Sequence, residues 1–251
     1  MRKDHSGGFT LIELLGVLTI IGLLAAFLLP GVGQAKKKAQ GVQCTSNLRQ
    51  MGLGLQMFLA DYHVYPLFEN PNFSKGKYPE HGTGWMAVLE RQGLGNSNRI
   101  SSATSVWRCP SARWGANLSR APEIPAFYCY NVFGLFWPGL PRDLGLGGHN
   151  TKGLAPPVSE AEVAVPSDMI AIADSFHGGF DLEHNHLRLL EKLGNASSRH
   201  QGKVNVVFCD GHVESPKMRF VFEDTNDVAL VRWNRDHQPH PEQLLVDKPH
   251  R

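Results

Sequence analysis

The residues best suited to acid and base chemistry sit in the C-terminal third of the chain. Asp174 and His177 follow one apolar stretch, and His200, Asp210 and His212 flank another. If the two stretches are neighbouring strands, these five side chains converge, and such a set can hold a metal ion or move protons. In the plainer reading each residue acts locally. His200 anchors the loop entering a hairpin, Asp210 makes its turn with Gly211, and the others are surface polar groups. No G-x-S-x-G, H-E-x-x-H or P-loop pattern is present, so neither a marked nucleophile nor a phosphate cradle supports the catalytic alternative. The fold-supporting reading is preferred, and no catalytic residue is expected.

Cysteine is the second reactive type. Cys44, Cys109, Cys129 and Cys209 form no CxxC pair and show no Cys/His spacing of the usual structural zinc sites, so no metal ligand is assigned. In an exported domain an even number leaves disulfides open, with three full pairings that spacing does not separate. A net charge of +2, with both signs spread along the 251 residues, offers no basic surface for a polyanion, and no nucleic-acid partner is expected.

The third residue with chemical consequences is Glu13, because of where it lies. Phe9 to Leu29 is a run of 21 residues whose polar members are Thr10, Glu13 and Thr19. As a helix it extends about 31 Å, enough for a hydrocarbon core of about 30 Å. A secretory signal has a shorter apolar region and a small-residue cleavage site after it; here Pro30 follows. A plain anchor does not explain Glu13, since an isolated carboxylate costs about 3 kcal/mol inside the bilayer and calls for a partner.

The run is preceded by MRKDHSGG. Gly8-Phe9-Thr10-Leu11-Ile12-Glu13 resembles the prepilin peptidase site shared by type IV pilins and type II secretion pseudopilins, and Pro30 falls where many of those proteins also place a proline. The resemblance implies cleavage between Gly8 and Phe9, N-methylation of the new first residue Phe9, and an assembly role for Glu13, whose carboxylate a neighbouring subunit's terminal amine neutralises. Lys36, Lys37 and Lys38 outweigh Arg2 and Lys3 on the positive-inside count, so orientation rests on the cleavage motif.

The apolar pattern continues past Pro30 as Cys44, Leu48, Met51, Leu55, Phe58 or Leu59, and Tyr62, one stripe at three- and four-residue steps. Tyr65-Pro66 ends it, giving one helix from about Phe9 to about His63. Lys36 to Lys38, Arg49 and Gln50 fall off the stripe, and Cys44 on it faces the head. Pro66 to Lys152 reads mostly as loop, with a helix at Trp85 to Gln92 and strands at Val106 to Cys109 and Phe127 to Phe133. Asp168 to Asp174 reads as a buried strand. Val204 to Cys209 and His212 to Glu214 read as a hairpin in which Asp210 and Gly211 both take positive φ. Asp227 to Asn234 reads as a short helix, and Asp236 to Arg251 as a polar, mobile tail.

His200, nine residues, then Asp210-Gly211 resembles the prepilin-type H-X9-DG group of pilin-like proteins. Cys44-Thr-Ser-Asn-Leu-Arg-Gln-Met-Gly52, Tyr65-Pro66, Cys109-Pro110-Ser111 and Pro166-Ser-Asp168 with Asp174 are similar to that group too. The expected fold is α+β and pilin-like: a long N-terminal helix, half transmembrane and half packed on the head, with a C-terminal antiparallel sheet. The expected organisation is leader 1–8, transmembrane helix 9–30, helix continuing into the head 31–65, globular head 66–235 and polar tail 236–251. The resemblance implies other pilin-like subunits, prepilin peptidase, the inner-membrane assembly machinery and membrane lipid as partners, with a single pass in the inner membrane and the head in the periplasm or outside the cell. The alternative is a membrane-tethered periplasmic enzyme or metal-binding protein using the His200/Asp210 region. No cofactor is expected. Some pseudopilins hold calcium in a C-terminal acidic loop, which makes Glu223, Asp224 and Asp227 a minor calcium alternative, although the spacing of a known calcium loop is absent.

Overall fold

The computed structural model describes residues 10–67, 84–94, 105–112, 128–135, 144–147, 149–150, 153–154, 156–175 and 196–244; Gly8, Phe9 and His177 lie outside them. Helix α1 runs Leu11–Tyr62 with Pro30 inside it. Thr10 and Glu13 start the helix. The Thr10 amide and hydroxyl donate to Glu13 Oε2 at 2.9 and 2.6 Å, and the Glu13 amide donates to Thr10 Oγ1 at 3.4 Å. That reciprocal pair is a capping box. The exit comes slightly earlier than Tyr65-Pro66, because His63 adopts a left-handed φ of 55° while its amide still bonds Leu59 O at 2.8 Å.

The chain divides into two compact units, Met1–Gln40 and Gly41–Arg251. In the first, α1 is apolar from Leu14 to Leu29 apart from Thr19, and its large side chains are exposed, Leu11, Phe27 and Leu29 among them. Among the described residues it is the one helix long and apolar enough to cross a membrane.

The second unit contains strands β1 at Tyr128–Tyr130, β2 at His149–Asn150, β3 at Gly153–Leu154, β4 at Ile170–Asp174, β5 at Val206–Phe208 and β6 at Val213–Glu214. Its main sheet is four-stranded and antiparallel, in the order β1-β4-β5-β6, while β2 pairs with β3 in a separate two-stranded sheet. Both faces of the larger sheet are covered, which is why β4 reads as an unbroken apolar run. One face meets α1 and the short helix α2, Trp85–Arg91: Tyr128, Tyr130, Ala171, Ile172, Val207 and Cys209 share a core with Cys44, Leu48, Met51, Leu55 and Leu59. The other carries Cys129, Ile170, Ala173, Val206 and Phe208 against Met218, Val221, Phe222, Leu230 and Trp233. Ala171 and Ile172 are neighbours yet face the same way, because a register shift separates Ile170 and Ile172 on β4. Such a bulge breaks the strand alternation.

Four expectations are corrected. Val106 to Cys109 is a turn, closed by the Arg108 amide on Ser105 O at 3.1 Å; its apolar residues, Trp107 and Cys109, are buried by contact with the helices and not by strand pairing. Tyr62 leaves the buried stripe, is 60% exposed, and stacks on Phe58 at 4.6 Å, so Leu59 continues the core. Asp210 does not take positive φ; only Gly211 does, at 88°. The Gly211 amide bonds Phe208 O at 2.9 Å and the Phe208 amide bonds His212 O at 3.0 Å. The loop therefore has three residues, a turn through Cys209 and Asp210 followed by a glycine bulge.

The fourth concerns the tail, since residues 236–244 pack on the head. His237 Nε2 lies 2.9 Å from Asp168 Oδ2, Gln243 is buried, and Leu244 joins the Trp233 cluster. His240 bridges Asp236 Oδ2 at 2.7 Å and Glu242 Oε1 at 2.9 Å. Burial lowers the His240 pKa, but its bonds to Asp236 and Glu242 outweigh burial and leave it raised. A raised folded-state pKa stabilises below the ordinary histidine value of about 6.5 and stops stabilising as pH climbs through the folded value. His240→Gln is accordingly expected to melt below the parent at pH 5.5 and together with it at pH 9. Thermal melts of the full chain in detergent across that range check this, and a constant difference at all pH values would remove the ionic contribution.

Candidate functional site

The sequence-predicted cluster divides into two pairs at opposite ends of β5. At the entry, His200 Nε2 is 3.3 Å from Asp174 Oδ2, with the imidazole 5% exposed and the carboxylate fully buried. Asp174 closes β4, and the antiparallel pairing of β4 with β5 sets it beside Asn205. Asn205 donates to Asp174 Oδ2 through its amide at 2.8 Å and its Nδ2 at 2.9 Å. Arg199 NH2 stands 3.5 Å from Asp174 Oδ1, and Arg199 NH1 donates to Ser175 O at 2.6 Å. A buried carboxylate is expensive unless it is paired and bonded, and Asp174 meets a cation, an amide, a side-chain amide and an imidazole. The approach is tight: His200 and Gln201 both take positive φ, 49° and 60°.

At the exit, Asp210 Oδ1 accepts from the His212 amide at 3.1 Å and lies 2.6 Å from His212 Nδ1, with both side chains over a third exposed. Asn205 and Gly211 are up to about 20 Å apart along an extended strand. His200 and Asp210 do not meet, and an enzymatic site made from both loses its geometric basis. Nor do the three acids offered for calcium gather: Glu223 bonds Arg219 Nε at 2.7 Å, Asp227 sits in the first turn of the helix Asp227–Leu230, and among the described residues no metal-sized group of ligand atoms contains them.

What both ends of β5 share is α1. Thr45 Oγ1 is 3.4 Å from Asn205 Oδ1, and a Cβ at Gly41 would stand 3.8 Å from His200 Nδ1. At the other end, Gln56 Nε2 donates to Cys209 O at 2.7 Å, and a Cβ at Gly52 would stand 2.6 Å from Gly211 O. Gly41 and Gly52 are about 16 Å apart along the helix. The nine residues between His200 and Asp210 thus span the length over which β5 lies along α1.

Of the cysteines, Cys44 on α1 and Cys109 in the turn form a disulfide, Cα–Cα 5.1 Å. Cys129 and Cys209 stay thiols, contrary to a second bridge, because they belong to the cores on opposite faces of the sheet. Burial pushes the Cys209 thiol up to about 12, against an opposing hydrogen bond from Tyr65, which leaves it unreactive. Asn47, which sequence reasoning does not single out, ties the same turn to the helix by donating to Arg108 O at 2.8 Å. Arg199 and Asn205 escape it also; a buried aspartate ending a strand needs such partners, yet no local pattern says which residues supply them. The capping role of Glu13 has a local signal, the Thr10-x-x-Glu13 spacing, which the charge inside the apolar run overshadows.

Comparison with known proteins bears on the N-terminal half. Residues 3–29 match the prokaryotic N-terminal methylation motif, and residues 33–132 match a family described as a protein of unknown function (DUF1559). The chain is similar to type II secretion system core protein G of Aeromonas hydrophila, 33% identical over 69 residues, 28% of this chain and 48% of that protein. The protein of that name from Escherichia coli K12 is 36% identical over 63 residues, 25% and 43% of the two chains; that of Pseudomonas aeruginosa is 32% identical over 66 residues, 26% and 46%. The chain spans about half the length of the curated relatives it matches. No solved structure matches it. Together with the apolar N-terminal helix, these likenesses fit a membrane-anchored protein.

The Gly52 and Gly211 contact makes a prediction of sign. Glycine to alanine inside a helix ordinarily stabilises by about 0.5–1 kcal/mol. Gly52→Ala is expected to destabilise, since its Cβ collides with backbone, whereas Gly33→Ala, with nothing within 4 Å, is expected not to. Gly211→Val, at positive φ with its Cβ 3.0 Å from Gln56 Cγ, is expected to cost about 1–3 kcal/mol. Denaturant unfolding of the three variants checks the order, and a stabilised Gly52→Ala would show that the helix does not rest on the turn.

Proposed function

We propose that the chain is a pseudopilin or pilin-like structural subunit of a type II secretion system or a type IV pilus-like filament. Prepilin peptidase cleaves it between Gly8 and Phe9, Phe9 is N-methylated, and α1 holds it in the inner membrane as a single pass, with the head in the periplasm or outside the cell. The observation that carries this reading is the N-terminal methylation motif over residues 3–29, coinciding with a helix of membrane-crossing length that carries Glu13 in its first turn. The likeness to core protein G of the secretion system supports the same assignment. Its partners are further pilin-like subunits, the peptidase, the assembly machinery and membrane lipid, and its work is assembly.

Within the head, His200, Asp210 and Gly211 have a fold-supporting role in this reading: they set the two ends of β5 on α1, so that the C-terminal part of the helix and the head enter a filament as one body. In the first turn of α1, Glu13 serves two ends. Its carboxylate caps the helix through Thr10, and it is the charge that the Phe9 amine of a neighbouring subunit neutralises. Glutamine can complete a capping box as well as glutamate does, so substitution separates capping from charge pairing.

Glu13→Gln is expected to insert, to be cleaved, and to fail in polymerisation, whereas Glu13→Val loses cap and charge together. Filament or pseudopilus yield after shearing, beside membrane-bound subunit on the same blot, measures this. Parental yield from Glu13→Gln would sink the charge pairing and leave capping as the role of Glu13. A bulky replacement of Gly8 is expected to leave a full-length, membrane-bound precursor without assembly, and intact-mass analysis of the extracted protein reads leader removal and methylation together. Normal processing of that variant would overturn the cleavage assignment.

A further inference from the structure

Cys44, Cys109 and His200 are far apart in the sequence, yet Cys44 Sγ, Cys109 Sγ and His200 Nε2 all lie within 4.8 Å of one another. No other such group occurs among the described residues. The disulfide accounts for two of these atoms, and the third, Nε2, lies 3.4 Å from Cys109 Sγ as well as 3.3 Å from Asp174 Oδ2.

The sulfur–nitrogen separation matches a tetrahedral metal. Zinc bonds of about 2.3 Å to sulfur and about 2.0–2.1 Å to nitrogen place a sulfur and a nitrogen ligand about 3.6 Å apart. His200 Nε2, 3.4 Å from Cys109 Sγ, is close to that distance already. We infer that, once the Cys44–Cys109 disulfide is reduced, this pocket is a binding site for a thiophilic divalent cation of the zinc class, held by both cysteine sulfurs and His200 Nε2, with a water molecule completing the tetrahedron.

The chemistry balances. A dithiol reductant delivers two electrons and two protons to the S–S bond, which breaks into two thiols, while the dithiol closes to its own disulfide. The cation then displaces both thiol protons to solvent, and the two sulfurs separate to about 3.8 Å, the span of a tetrahedral pair. His200 ligates as neutral imidazole, its remaining proton on Nδ1. Two thiolates cancel the charge of the cation, and Arg199 opposes Asp174 from 3.5 Å, so the loaded pocket buries no net charge. Cys109 lies in a turn rather than in a strand, and that turn can yield the small outward movement without breaking the sheet. The pocket would therefore hold α1 to the turn by a covalent bridge where conditions oxidise and by a metal bridge where they reduce.

The test uses the full chain in detergent, reduced with a dithiol, desalted without air and titrated with Co²⁺. The expected result is one equivalent bound, with the near-ultraviolet thiolate charge-transfer band and tetrahedral visible bands, displaced by Zn²⁺; the oxidised chain takes up none. His200→Gln, which keeps a donor toward Asp174, is expected to weaken binding at least tenfold, and replacement of Cys129 and Cys209 by alanine is expected to leave it unchanged. Zn²⁺ is expected to raise the melting temperature of the reduced chain alone. Absence of binding, absence of the thiolate band, indifference to His200→Gln, loss of binding in the Cys129/Cys209 variant, or a reduced chain whose lost near-ultraviolet dichroism Zn²⁺ does not restore would each overturn the assignment.

Discussion

The head depends on how closely the backbone of α1 approaches the turn that ends β5. With glycine at 52, the Gly211 carbonyl can lie where any side chain would have put a Cβ 2.6 Å away, and that approach brings Gln56 within 2.7 Å of Cys209 O. Once the turn is seated, β5 is laid along the helix, β4 pairs with β5, and β1 pairs with β4. The apolar stripe from Cys44 to Leu59 supplies burial energy, but burial has no direction; the glycine contact and its hydrogen bond fix where along the helix the sheet sits.

The opposite end of β5 is held by polar groups. Asp174 is wholly buried, and its desolvation is offset because Arg199, His200 and the two donors of Asn205 converge on it. Such a network is worth little as net stability, yet removing one member leaves a buried charge uncompensated, so it penalises any arrangement that does not assemble it. The strained backbone at His200 and Gln201 persists because these contacts over-determine the loop.

Legibility in the sequence follows the range of the interaction. The 3.6-residue stripe that makes α1, the 21-residue apolar run, the helix beginning at Trp85 and the Asp-Gly turn each reside within a few neighbouring residues, and each lies nearly where its local pattern puts it. Tyr62 departs because periodicity runs on past Leu59, the last residue of α1 in the core. Val106 to Cys109 departs because an apolar run of strand length looks the same whether a sheet or a disulfide and a tryptophan pair bury it; Trp107 meets Trp85 at 5.8 Å. The pairing of Cys44 with Cys109, 65 residues apart, and the convergence of His200 on both lie outside any spacing rule. Zinc patterns read local doublets, whereas Cys44, Cys109 and His200 come from three different parts of the chain.

In the proposed filament, the first turn of α1 lets one residue serve both the free subunit and the assembled one. A charged carboxylate costs about 3 kcal/mol at the centre of a spanning helix, and Glu13, one turn from the end, meets at most that. A cap contributes about 0.5–2 kcal/mol, so the Thr10 bonds offset part of that cost for a membrane-inserted helix without cancelling it. In the filament reading, the remainder is what a neighbour's amine relieves. Thr10 holds the carboxylate at the helix start, so that in the same reading an incoming subunit finds an oriented acceptor that needs no reordering. On that reading a stronger cap removes the drive to pair and a weaker one hinders insertion, which gives the combination of Thr10 with Glu13 a physical reason beyond either residue alone.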